Sequence, residues 1–139
     1  MINSENAIGF KFSKYKISRF SFNEANNENS DFNISFSPSG LYNENTGEFV
    51  LTLAVEAKEV GTDKVVVEAI GIAEYQFDKQ YQLAELPSHF FLSAVPIFFP
   101  YLRSFVSTLT LQANSNVMIL GLINFTNMAE PLKANTKVI

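Results

Sequence analysis

Cysteine and tryptophan are both absent from the 139-residue chain, and histidine occurs once, at His89. Without cysteine the chain has no disulfide framework, no thiolate metal site and no thiol nucleophile. A single histidine with no partner at a fixed spacing favours a structural or surface role over catalysis. A histidine-based metal site lacks its other ligands for the same reason. The sequence therefore predicts no catalytic residue and no metal site.

Charged residues are also scarce, at 17% of the chain, and the formal net charge is −4. An acidic balance argues against a nucleic-acid partner, because surfaces that bind nucleic acids are basic. The phosphate-binding patterns G-x-x-x-x-G-K-[ST] and G-x-G-x-x-G are missing, and the acidic residues are scattered along the chain. We therefore predict that the chain is not an enzyme and needs no cofactor, which leaves its shape and apolar surface as the basis of function.

Neither a leader nor a membrane span is predicted. Residues 1–12 lack the uninterrupted apolar core of a signal peptide. Ser104 to Ala129 is uncharged, but serine, threonine, asparagine and glutamine occur throughout it and argue against a membrane span. The expectation is a cytoplasmic protein with no direct membrane insertion.

Phenylalanine, by contrast, is abundant, with 14 residues. Each aromatic ring buries a large area, so these rings either fill one core or line a surface that meets another chain. A chain of this length forms one domain and can bury about two-thirds of its unfolded surface. The prediction is a single domain over residues 1–139, with a core at about 8–128 and a loose tail at 129–139.

Four segments alternate apolar and polar residues, which is typical of half-buried strands. The first changes phase near its middle, which indicates a bulge. The second is expected to end at Pro38-Ser39-Gly40, and the fourth is apolar on both faces along part of its length. Short connections favour antiparallel neighbours. The predicted strands are Gly9–Phe22, Asp31–Ser37, Glu48–Lys58 and Lys64–Phe77.

One long amphipathic helix is predicted from Pro100 to Asn114. Proline suits the first turn of a helix, where its missing N–H would be unpaired anyway. Asparagine tolerates the left-handed conformation that ends many helices. A separate short helix is expected over Leu83–Leu92, divided from the long one by Pro96. One or two helical turns are expected over Asn124 to Ala129, with Pro131 stopping any longer helix.

These elements predict the α+β class, with a four-stranded antiparallel meander sheet and a long helix packed on one face. After Asn116, the apolar run Val117 to Ile123 is expected to be extended.

Phe99-Pro100-Tyr101 with Arg103, and Asn124-Phe125 downstream, resemble a pattern of the SecB-type protein-export chaperones. In that family F-P-Y-x-R is followed by N-F, and the interval from Phe99 to Phe125 matches. The order of predicted elements agrees as well, so the resemblance extends from Phe10 to Met128. It implies a SecB-like fold.

The resemblance also implies a function. Chaperones of this family hold unfolded, export-bound polypeptides in hydrophobic grooves, without ATP, for delivery to the Sec translocation machinery. It implies a homotetramer, a dimer of dimers, with the long helices between two sheets. Ordinary core packing is the alternative for each residue that matches the family's groove. Those residues are Phe32, Ile34, Phe36, Tyr101, Met118, Leu120 and Phe125.

The chain departs from the family where the translocation motor SecA docks on acidic side chains of the sheet. Glu24 and Glu68 are the docking candidates here, but Arg19 and Asn23 stand at first-strand positions that are acidic in the family. Arg19 reverses the local field. The alternative is therefore a SecB-like chaperone dedicated to one partner, for example in a toxin–antitoxin system.

Overall fold

The computed structural model describes residues 8–27, 29–121 and 125–139. Five strands form one sheet in the order β1-β4-β3-β2-β5. The first four pair with antiparallel neighbours, whereas β5 lies parallel to β2. The strands are β1 (Phe10–Phe22), β2 (Phe32–Asn43), β3 (Glu48–Glu59), β4 (Val65–Phe77) and β5 (Thr136–Val138).

The predicted α+β class is confirmed, with a long helix on one face of the sheet. Strands β2, β3 and β4 form a meander, and β1 crosses over to pair with β4, which is the strand order of a Greek key. The predicted phase change in β1 corresponds to two register shifts, between Phe12 and Lys14 and between Ile17 and Arg19. These bulges keep the aromatic side chains of β1 on the helix-facing side of the sheet.

The predicted end of β2 at Pro38-Ser39-Gly40 is wrong, because the strand continues to Asn43. The amide of Gly40 donates to the Asn135 carbonyl at 3.2 Å, on the side of β2 away from β3. Alternation along the strand places the Pro38 nitrogen on that same side, before the pairing with β5 begins at Gly40. A proline is tolerated where its nitrogen faces no strand partner.

Helix α1 spans Ser88–Gln112 and contains both Pro96 and Pro100, so the predicted division into two helices is wrong. Only a short 3₁₀ turn, Leu83–Glu85, precedes it. Both prolines lie on the exposed side of α1, where water can satisfy the carbonyls that they leave unpaired. The buried residues recur at helical spacing straight through the prolines. They are Phe90, Phe91, Ala94, Val95, Phe98, Phe99, Leu102, Val106 and Thr110.

The predicted end of α1 at Asn114 is confirmed. Asn114 has φ 57°, and its amide donates to the Leu111 carbonyl at 3.0 Å. The Ser115 amide donates to the Thr110 carbonyl at 3.1 Å. This pair of hydrogen bonds is a Schellman motif, which turns the chain sharply out of the helix.

Of the helices described, α1 alone is long and apolar enough to span a membrane, and its buried face packs on the sheet as a core helix does.

The predicted loose tail is wrong, because residues 129–139 form a helix and a strand. After a 3₁₀ turn, Phe125–Met128, helix α2 spans Ala129–Ala134 and contains Pro131 in its first turn, where a missing N–H costs no hydrogen bond. Leu132 is fully buried, and β5 extends the sheet beyond β2. The prediction missed this because a three-residue strand carries almost no periodic signal.

The core lies on the helix-facing side of the sheet and is rich in aromatic rings. Phe49 and Phe90 meet edge to face with ring centroids 4.7 Å apart, and Tyr75 contacts Phe90 at 5.4 Å. Other rings remain on the surface, since Tyr15, Phe20 and Tyr101 are exposed in the single chain. Core packing therefore accounts for much of the phenylalanine excess, and a surface that meets another chain stays a prediction.

Candidate functional site

An open cavity of about 360 Å³ lies between the end of α1, the segment that follows it and the beginning of β2. We call it the β2 cavity. Its volume is near the lower end of the range of about 300–1,000 Å³ that is usual for ligand pockets, which suits one or two large side chains of a peptide. The rim is polar and includes Glu24, Asn27 and Asp31. The apolar lining consists of Phe22, Phe32, Ile34, Val66, Val117, Met118 and Ile119.

The segment after α1 forms one wall of the β2 cavity and is fixed to the helix by hydroxyl groups. The Met118 amide donates to the buried Thr110 hydroxyl at 2.9 Å, and that hydroxyl donates to the Val106 carbonyl at 3.0 Å. The Ser107 hydroxyl donates to the Met118 carbonyl at 3.1 Å. Met118 is thereby held against the cavity, while Ile119 stays 62% exposed.

The opposite wall is the β1–β2 connection, which the carboxylate of Glu59 holds in place. This carboxylate accepts hydrogen bonds from the amides of Asn26 at 3.3 Å and Asn27 at 3.1 Å, and from the Ser30 hydroxyl at 2.6 Å. The Ser30 hydrogen bond is the main cause that lowers the pKa of Glu59, and the two amides and Lys64 add to it. These donors outweigh burial, which acts in the opposite direction.

Acid should release this wall. Because the pKa of Glu59 is lower in the folded chain than its ordinary 4.5, its contribution to stability is complete above that value and is lost as the pH falls through the folded pKa. We expect the Asn26 and Asn27 amide resonances to titrate with a midpoint below 4.5 by NMR. Glu59→Gln should abolish this titration, and a midpoint at or above 4.5 would contradict the assignment.

Two other groove candidates belong to an aromatic cluster further along β2. Phe36 meets Phe99 edge to face at 5.7 Å, and Phe99 meets Phe125 at 4.5 Å. Phe36 and Phe125 keep part of their surface exposed, whereas Leu120 is fully buried. In this chain Leu120 therefore packs in the core, which was the alternative open from the sequence.

Asn124 of the N-F pair lies outside the described residues, as do 122 and 123 of the predicted extended run.

Tyr101 lies on the other side of α1, near β1. Its ring stacks on Phe12 with an interplanar angle of 11°, and it meets Tyr15 at 4.5 Å. A second open cavity of about 520 Å³ lies beside it, lined by Tyr15, Ile17, Pro100, Tyr101, Ser104, Phe105 and Thr108. The structure thus brings together Phe32, Ile34 and Met118 at the β2 cavity and places Tyr101 at a separate aromatic surface.

Several residues of these surfaces were not predicted from the sequence. Ile119 was not singled out, because a continuous apolar run does not show which of its residues face the core and which stay exposed. Tyr15 and Phe20 lie in the predicted first strand. The phase change in that strand indicates that both side chains can share its helix-facing side.

Glu24 and Glu68, the SecA-docking candidates, lie on different surfaces. Glu24 is at the rim of the β2 cavity, on the helix side of the sheet. Glu68 is on the opposite face, where the Arg19 Nε lies 4.0 Å from its Oε1. Arg19 therefore offsets the charge of Glu68, and the two candidate carboxylates do not share one face of the sheet.

His89 stacks on Phe10 with ring centroids 6.0 Å apart. Within residues 8–27, 29–121 and 125–139, no group of three or more histidine, aspartate or glutamate side chains is arranged to hold a metal ion.

No protein-family model matches the chain, and no curated protein matches it either. Solved structures do match. The SecB-like chaperone Rv1957 of Mycobacterium tuberculosis, in complex with a ChAD peptide from the Rv1956 HigA1 antitoxin, aligns with a TM-score of 0.68 at 14% identity, over 82% of this chain and 87% of that one. The chain has a SecB-like fold. This confirms the resemblance drawn from the sequence at the level of the fold.

A second structure, a protein of unknown function from Streptococcus agalactiae, aligns with a TM-score of 0.49 at 9% identity, over 84% of this chain and 99% of that one.

In the SecB-like fold of this chain, the long helix α1 lies across one face of the sheet. Here that arrangement leaves the β2 cavity and the aromatic surface around Tyr101 open on the helix side.

Proposed function

We propose that the protein is an ATP-independent chaperone that holds extended, unfolded polypeptide in the β2 cavity. The main support is the open apolar lining of Phe32, Ile34 and Ile119, which a folded single chain leaves in water. Apolar surface gains free energy on burial without directional requirements, so such a cavity accepts side chains of varied sequence. The aromatic surface around Tyr101 is the proposed second contact for a longer client.

The proposal is tested by light scattering on a client diluted from denaturant. Aggregation should slow at a stoichiometric ratio of chaperone to client, with no nucleotide present. Because the hydrophobic contact is not sequence-specific, several unrelated clients should be protected. Protection of none of them would refute the general chaperone function.

A chaperone dedicated to one partner is the second candidate. Two observations favour it over export: the solved SecB-like neighbour binds an antitoxin peptide, and Arg19 lies beside Glu68 where SecA would dock. Competition separates the two functions. A partner-derived peptide that displaces an unfolded client at far lower concentration than other peptides supports the dedicated role. Equal displacement by all peptides supports general binding of export-bound clients in the cytoplasm. In that case Glu24 and Glu68 remain the candidates for SecA docking.

We also propose that the chain assembles as a homotetramer, a dimer of dimers with the helices between two sheets. The exposed face of α1 is almost uncharged, which suits packing against α1 of a second copy. Arg103 is its one formally charged residue. The exposed or half-exposed residues along the middle of this face are Leu92, Pro96, Pro100, Ser104, Ser107 and Leu111, and Tyr101 lies at its edge, toward β1.

Ser104→Glu should disrupt this assembly. A carboxylate at the centre of the helix face would be desolvated without a partner, which is unfavourable. We expect light scattering to show the mass of four chains for the original protein and a smaller mass for the variant. Ser37→Glu, on the face of the sheet away from α1, is the matched control and should keep the tetramer. Identical masses for both variants would exclude the helix face as the interface.

A further inference from the structure

The edge of β2 that faces away from β3 has two parts. β2 pairs with β3 along its whole length without a register shift. On its other side, β5 covers residues 40–42. Residues 32–38 have no strand partner on that side within the described part of the chain. An unpaired stretch of this kind can bind an extended segment of another chain.

Alternate residues of β2 direct their backbone groups to this open side. At the start of the strand, the Val60 amide donates to the Asp31 carbonyl at 2.9 Å, on the side of β3. Further along, the Gly40 amide donates to the Asn135 carbonyl at 3.2 Å, on the other side. Backbone groups in an antiparallel ladder alternate between its two sides, so the even-numbered residues of β2 point outward. Those of the open stretch that have an amide are Phe32, Ile34 and Phe36.

The outward backbone groups lie beside the surface that we propose for clients. Phe32 and Ile34 line the β2 cavity, and Phe36 belongs to the aromatic cluster further along the strand. The side chains of an added strand alternate between the two faces of the sheet. A client strand along residues 32–38 would therefore form backbone hydrogen bonds with β2 and place every second side chain over the cavity or the cluster.

Pro38 and β5 together end the open stretch. Pro38 has no amide that could donate to an added strand, and β5 begins opposite Gly40, two residues later. A Cβ at Gly40 would lie 2.8 Å from the Thr136 Oγ1, so the missing side chain lets β5 lie close to β2. β5 is itself an extended segment on this edge, which shows that the outward groups of β2 accept one.

β5 is fixed at its start and loosely held at its end. The buried Thr136 hydroxyl donates to the Leu132 carbonyl of α2 at 2.6 Å. Val138 and Ile139 are 46% and 67% exposed, and the Ile139 amide donates to the Tyr42 carbonyl at 2.9 Å. A short terminal strand with exposed side chains has little burial to hold it, so it opens at low cost in free energy.

We propose that β5 is a displaceable stop, which limits the client strand bound along β2 to about seven residues. At about 3.3 Å per residue, residues 32–38 span about 23 Å, the length of such a strand. When β5 is displaced, the open edge continues through Tyr42 and accepts a longer segment. This inference rests on the proposed chaperone function and adds the length and the extended conformation of the bound client.

The test compares two proline variants of the full chain. Asn135 and Ile139 direct their backbone groups to β2, so alternation directs the Lys137 amide to β2 as well and the Val138 amide away from it. Lys137→Pro removes a donor to β2 and should release β5. Val138→Pro is the matched control and should leave β5 paired. Hydrogen exchange of the Ile139 amide should become faster in Lys137→Pro than in the control.

Binding is measured by fluorescence anisotropy with labelled, uncharged peptides of six and twelve residues in which valine and serine alternate. The six-residue peptide should bind the original protein and both variants within about twofold. The twelve-residue peptide should bind Lys137→Pro roughly tenfold more tightly than the original protein. The gain is expected because Gly40 and Tyr42 become free to form further backbone hydrogen bonds with it.

Methylation of the peptide amides tests the backbone contact. Methyl groups on all serine amides and on all valine amides of the twelve-residue peptide should differ in effect, because only one of the two sets faces β2. Equal loss from both sets, or the same dependence on peptide length in all three proteins, would overturn the proposal. A larger assembly mass for Lys137→Pro would assign the freed edge to a second copy and overturn it as well. No binding of either peptide would also overturn it, whereas the aggregation assay decides the chaperone function separately.

Discussion

Replacing Ile119 with aspartate is expected to weaken client binding at least about tenfold while the fold stays intact. Burying a large aliphatic side chain is worth about 1.5–3 kcal/mol, and each 1.4 kcal/mol is about a tenfold change in affinity. Ile119 lines the β2 cavity and is 62% exposed without a client. The variant therefore loses little stability, but a client would have to bury a charge.

Ile139→Asp is the matched control for this variant. It is the same chemical change at a residue that is 67% exposed and lies beside the far edge of the sheet. Binding is measured as the anisotropy of a labelled unfolded client, and folding as the urea midpoint. If both variants lose affinity equally, the effect comes from net charge and the β2 cavity is not the client site.

Replacing Phe98 with alanine is expected to lower the free energy of unfolding by about 3–5 kcal/mol. Phe98 is fully buried and packs directly over Gly71 of β4, beside Tyr15 of β1. The ring therefore joins α1 to two neighbouring strands. The loss is measured by urea unfolding followed by circular dichroism. A change below about 0.5 kcal/mol, the size usual for surface substitutions, would mean that α1 does not dock in this way.

Gly71→Ala tests the same contact from the strand. A Cβ at this position would lie 2.7 Å from the Phe98 Cε2, and overpacking of this kind costs about 1–3 kcal/mol. Phe98→Leu in the Gly71→Ala background should recover part of that loss, because the smaller side chain makes room. If the two substitutions are additive in a double-mutant cycle, they do not share a contact.

The sheet was largely predictable because its strands are long and alternate regularly. β3 and β4 have buried side chains at every second position, so their bounds were predicted within one residue. The end of α1 was predictable for a local reason, since Asn114 can adopt a positive φ at little cost. Such signals are contained in a few neighbouring residues.

The start of α1 was not predictable by the same rules. Proline discourages helix locally, yet Pro96 and Pro100 lie within one continuous helix because Phe91, Val95 and Phe98 pack on the sheet on its other side. Tertiary burial outweighs local propensity here. The pairing of β1 with β4 rather than β2 could not be predicted either, because sequence periodicity does not specify strand order.

The division of the candidate residues between the β2 cavity and the aromatic surface around Tyr101 also depends on tertiary structure. Alternation identified Phe32 and Ile34 as one apolar face, but Ile119 and Tyr15 joined their surfaces only through the three-dimensional path of the chain. Periodicity predicts which residues face a core. It does not predict where that core remains uncovered.

The crossover of β1 has a consequence for synthesis of the chain. Ser18 and Ile70, which are hydrogen-bonded across β1 and β4, are 52 residues apart. At about 5–20 residues per second, a nascent β1 leaves the ribosome roughly 3–10 s before its neighbour strand exists. During that interval β1 is an aromatic, extended segment exposed to solvent. Newly made copies of this chain therefore resemble the polypeptides that the protein is proposed to hold.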